Sequence, residues 1–124
     1  MTVKECYERI GDYEEVIGRL GREDRICRYL GKLGGDRTFD DLCRAVEAGD
    51  VEQAFLCAHN LKGLYLNLSM THAGQAASAL CEALRAGDPD GRAPALLEAL
   101  RGQHQTVLST VDELLRTPQE GASQ

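Results

Sequence analysis

An all-α fold follows from three features of the sequence. No proline occurs before Pro89, apolar residues recur at steps of three and four rather than alternating, and β-branched and aromatic residues are sparse. Four substantial amphipathic segments with short connections predict an antiparallel up-down four-helix bundle, preceded by one or two short N-terminal helices. A chain of 124 residues has room for one such domain. We place the bundle at residues 1–118 and expect the small, polar stretch 119–124 to be frayed.

The punctuation of the chain locates each element. Thr2 with Glu5, and Asp12 with Glu15, have capping-box spacing, so short helices are expected to end near Gly11 and Gly21. A longer segment covers about 22–48, with Ile26, Leu30, Leu33, Phe39, Leu42 and Val46 as its apolar stripe. The stripe skips a step at Gly34-Gly35-Asp36, which allows one kinked helix or two. Ala-Gly-Asp occurs at 48–50 and again at 86–88: glycine suits the left-handed residue after a helix, and the aspartate caps the next one. Between these turns lie a helix from Asp50 to about Leu68 and an alanine-rich one from Thr71 to Ala86. A final helix spans about 92–116, with Leu97, Leu100, His104, Val107, Val111 and Leu114 on one stripe.

Composition removes several classes of function. Fourteen basic against twenty acidic side chains leave a net charge of −6, which repels nucleic-acid phosphates and anionic lipid. Residues 1–10 carry Lys4, Glu5, Glu8 and Arg9 with no apolar run, so neither a signal peptide nor a membrane span is expected there, and a cytoplasmic location is. The five cysteines (Cys6, Cys27, Cys43, Cys57, Cys81) are odd in number, scattered, and free of any C-x-x-C pair. They are read as reduced small hydrophobes rather than disulfide or zinc ligands.

The helix after Asp50 is unusual. At about 100° per residue, Ala54, Cys57, Leu61, Leu64, Tyr65 and Leu68 form its core face, and His59 falls on the opposite, solvent side. Sharing the His59 face are Phe55, Leu56, Lys62, Gly63 and Leu66. Gly63 costs a helix interior about 1 kcal/mol relative to alanine, and its bare backbone one turn from the histidine lets another molecule come close. Phe55, Leu56 and Leu66 place apolar surface around the imidazole where an amphipathic helix is normally polar, which reads as a docking surface. An exposed imidazole is largely neutral at pH 7, and its free lone pair is nucleophilic. No serine, carboxylate or second histidine lies within helical reach, so a self-contained hydrolytic triad is not supported. Phosphoryl transfer asks less of the chain, because a partner can bring the metal and the acidic pocket. Lys62 supplies a cation for an anion carried on the ring.

The run Ala58-His59-Asn60-Leu61-Lys62-Gly63, with Asn67-Leu68 beyond it, resembles the H-x-L-K-G signature of histidine-containing phosphotransfer (HPt) domains. The order of elements around it is similar over residues 12–116. The resemblance implies that His59 accepts a phosphoryl group from the receiver-domain aspartyl phosphate of a hybrid histidine kinase and passes it to a response regulator. It further implies that Lys62 steadies the group and that Gly63 gives the receiver room. Mg²⁺ would belong to the receiver, with no cofactor or metal on this chain and no kinase activity of its own. Leu64, Tyr65 and Leu66 stand where the family usually has small residues, and Ser69 where a glycine is common; Leu66, on the docking face, would narrow the choice of receiver.

Other readings make different demands. A haem or metal site built from His59, His72 and His104 lacks any i, i+3 or i+4 pair. His104 is expected as a core-edge histidine with one hydrogen bond, and His72 as surface at a helix start. An adaptor would bind or inhibit a kinase or receiver through Phe55, Leu56 and Leu66 without carrying phosphate. The phosphorylatable domain of a chemotaxis-type kinase shares the motif, but its ATP-binding domain does not fit in 124 residues. Met1 suggests a free-standing chain, with a fragment of a larger kinase as the alternative, and the four-helix count points to a monomer.

Overall fold

Local capping sets the helix starts. Thr2 accepts the Glu5 N–H at 3.1 Å while Glu5 accepts the Thr2 N–H at 2.9 Å, and this reciprocal pair opens α1, Val3–Ile10. Asp12 accepts the Glu15 N–H to open α2, Tyr13–Leu20. Asp50 likewise caps Gln53 at the start of α5, Val51–Asn67. Between α2 and α5 lie α3, Glu23–Leu30, and α4, Thr38–Glu47. A single 3-10 turn at Leu33–Gly35 separates them, so the 22–48 segment is two helices, and three short helices precede the bundle. The chain continues through α6, Thr71–Arg85, to α7, Ala93–Arg116.

These elements come from a computed structural model that describes residues 1–117. The expected frayed tail at 119–124 lies outside the described residues. Among those described there is no strand. No helix among them is long and apolar enough to cross a membrane.

Both Ala-Gly-Asp turns behave as glycine stops. Gly49 and Gly87 have φ of 70° and 86°, in the left-handed region after α4 and α6. Asp88 then accepts the N–H groups of Arg92 and Ala93 at 2.7 and 3.1 Å, capping α7 across a loop. Helices α4, α5, α6 and α7 form the antiparallel bundle, with α5 between α4 and α6 and α7 closing the ring. Leu42, Leu61, Leu80, Leu100 and Leu114 are fully buried between them, each side chain contributing about 1.5–3 kcal/mol.

The N-terminal helices anchor the far end of α5. The Tyr7 hydroxyl donates to the Leu68 carbonyl at 2.9 Å, and the Asp12 N–H to the Ser69 carbonyl at 3.0 Å. Arg19 donates to the Leu66 carbonyl, satisfying an acceptor in the last turn of α5. The approach is so close that a Cβ on Gly11 would collide with the Ser69 carbonyl. Ser69 itself has φ of 55°, a conformation that favours glycine, and its hydroxyl donates to Glu15 at 2.9 Å. The contact with Glu15 is one that a glycine at this position would not make.

Candidate functional site

Burial along α5 matches the helical arithmetic with two adjustments. Ala54, Cys57, Leu61, Tyr65 and Leu68 are buried, Leu64 is half-buried, and Ala58 is also fully buried. Because α5 packs against both α4 and α6, its buried sector is wider than a one-sided helix would have. His59 lies outside that sector and is exposed.

The surface around His59 is apolar on two sides. Leu56 and Leu66 are 50% and 45% exposed, two of the four exposed large hydrophobic side chains among the described residues. Leu66 leans on α6 at Gly74, where an added Cβ would lie 2.9 Å from the leucine Cδ2. Gly63 is the opposite case: a Cβ built there meets nothing within 4 Å. Close helix packing therefore does not explain this glycine, and the space over it is open to solvent.

Phe55 differs from the expectation of an open docking residue. It is half-buried and packed against the core, and its ring stacks on that of His59 with centroids 5.9 Å apart and planes 21° from parallel. The Arg85 guanidinium, from the last turn of α6, lies over the same ring with Cζ 5.0 Å from the centroid. Sequence reasoning missed Arg85. The available signal is hairpin register, since Leu66 with Gly74 and Phe55 with Arg85 sit symmetrically about Met70.

The charges near His59 are not equivalent. Arg85 is held by Glu82 at 3.4 Å, an exposed ion pair. Lys62 is half-buried and makes no ion pair or hydrogen bond among the described residues, so its ammonium is uncommitted. Neither ring nitrogen of His59 has a hydrogen-bond partner among those residues either.

The other two histidines are placed elsewhere. His72 is exposed in the first turn of α6. His104 is half-buried in α7, stacked on Phe39 at 4.2 Å, with Nδ1 and the Tyr65 hydroxyl hydrogen-bonded at 2.7 Å. Burial holds its pKa below the ordinary 6.5, while the Asp40 and Asp36 carboxylates pull the other way. The structure thus does not bring His59, His72 and His104 together, and among the described residues no group of three His, Cys, Asp or Glu side chains is placed to hold a metal ion. All five cysteines are free thiols, and burial pushes Cys6 up to about 11.

Among the described residues, α5 thus presents an exposed imidazole without a hydrogen-bond partner, one turn from an unpaired lysine and beside the open space at Gly63. A sequence model of the Hpt domain matches residues 35–117, more than half of the chain, and the chain belongs to that family. Helices α1 to α3 precede the match. No curated protein and no solved structure matches the chain. Hpt domains are phosphotransfer carriers in two-component signalling rather than classical enzymes, and the family interacts with receiver domains and response regulators.

Proposed function

We propose that His59 is the phosphoryl acceptor, loaded from the receiver-domain aspartyl phosphate of a hybrid histidine kinase and unloaded onto a response regulator. The observation that carries this reading is the exposed His59 with the unpaired Lys62 one turn along, beside the open space at Gly63. A neutral ring nitrogen attacks the phosphorus with its lone pair. A P–N bond forms, the P–O bond breaks, and the aspartate carboxylate leaves with the bonding electrons. The ring keeps the proton on its other nitrogen, and the Lys62 ammonium offsets the charge of the arriving group. The reverse exchange with a second receiver's aspartate completes the relay, and Mg²⁺ is the receiver's contribution. Leu56, Gly63 and Leu66 supply the docking contacts, with the chain acting as a monomer in the cytoplasm.

The test is a panel of phosphorylated receiver domains mixed with wild type, His59→Gln and Lys62→Ala. Acid-labile, alkali-stable phosphate is expected on wild type, none on His59→Gln although it still binds the receiver, and transfer to Lys62→Ala slowed about tenfold. Receiver binding without label on the wild type would instead favour the adaptor that uses the Phe55, Leu56 and Leu66 surface.

A further inference from the structure

A histidine that does chemistry usually has one ring nitrogen tied to a carbonyl or carboxylate, which fixes the plane of the ring and the tautomer. His59 has no such tie among the described residues, and the ring contact it makes there is with Phe55. An imidazole on an exposed helix face would otherwise exchange rotamers on the picosecond to nanosecond scale and present its lone pair in changing directions. We infer that Phe55 is a positioning residue for His59, and that Arg85 braces it. This assignment rests on the phosphotransfer reading and replaces the docking role for Phe55.

Three observations support it. The spacing of four residues along α5 puts the two rings one above the other, and their 21° tilt and 5.9 Å separation are those of an offset stack. Phe55 is held from below, being half-buried and packed against the core. The guanidinium at 5.0 Å adds a cation–π contact from a second helix, and the ion pair of Arg85 with Glu82 in turn limits the freedom of that cation. A side chain tied down in this way offers little to a partner. Leu56 and Leu66, about half exposed, remain available for docking.

Phe55→Leu and Phe55→Tyr separate orientation from apolar contact, because leucine keeps the bulk without the flat face and tyrosine keeps both. With a phosphorylated receiver under single-turnover conditions, Phe55→Leu is expected to lower the maximal transfer rate about tenfold or more. The receiver concentration at half-saturation should stay within about twofold of wild type, with Phe55→Tyr restoring the rate. In the free protein, the His59 ring-proton signals should lose their upfield ring-current shift in Phe55→Leu and keep it in Phe55→Tyr. Arg85→Ala should weaken that shift and Arg85→Lys preserve most of it. A Phe55→Leu protein that transfers as fast as wild type overturns the inference. So does one whose half-saturation rises at an unchanged maximal rate, since Phe55 would then be a docking contact. Failure of the wild type to take phosphate from any receiver overturns the function itself, and is distinguished by occurring without any substitution.

Discussion

His59 and His104 are the same side chain in two opposite settings. His104 has its Nδ1 committed to the Tyr65 hydroxyl, its ring against Phe39, and its charge disfavoured by burial. His59 has both nitrogens uncommitted, one aromatic contact, and solvent in front of it. On the proposed reading, what an acceptor needs is a ring that its surroundings leave free. A structural histidine is defined by what they take up. The two sites are nonetheless linked through α5, since Tyr65 reaches His104 from the buried side of the helix that carries His59 on the other.

Substitutions should separate the two roles cleanly. The largest effect is expected from His59→Gln, which abolishes phosphate acceptance yet changes the urea unfolding free energy by no more than about 0.5 kcal/mol, as for an ordinary surface site. His104→Ala should do the reverse: about 2–3 kcal/mol of stability is lost in the same urea measurement through the missing ring contact and the orphaned Tyr65 hydroxyl. Its transfer rate, measured on the fraction still folded, should stay near wild type.

Acidification sharpens the same contrast. Because the folded-state pKa of His104 lies below its ordinary 6.5, the unfolded chain takes up that proton first. Its contribution to stability is complete above 6.5 and is lost as the pH falls through the interval below, with a slope of at most about 1.4 kcal/mol per pH unit. Urea midpoints collected across that interval should show this slope in wild type and a shallower one in His104→Ala. The smallest effect is a gain. With nothing within 4 Å of a built Cβ, Gly63→Ala should stabilise the free protein by about 0.5–1 kcal/mol, read from the urea midpoint. On the proposed reading the same variant should slow transfer from a receiver, because an added Cβ would intrude where the receiver docks.

What the sequence revealed was local, and what it hid was tertiary. Caps at Thr2, Asp12 and Asp50 and the glycine stops at Gly49 and Gly87 lie where spacing and residue type place them, because each depends on a few neighbouring atoms. The exposed side of α5 was legible for the same reason, since helical periodicity alone sets His59 opposite Leu61 and Tyr65. The division of 22–48 was not, because its apolar stripe resumes in phase with the core on both sides of the Leu33–Gly35 turn. Phe55 sits at the edge of the apolar sector, where packing by α6 decides whether a ring is surface or shelf. Ala58 is buried by the second neighbour of α5, which one helix read alone does not disclose.

The most direct test of His59 as the acceptor is a phosphorus–proton correlation spectrum of the full chain after loading from a phosphorylated receiver. A single phosphoramidate signal coupled to the ring protons of His59 is expected, absent from His59→Gln and retained in His104→Ala. Coupling to the His72 or His104 ring, or a signal that survives in His59→Gln, would contradict it.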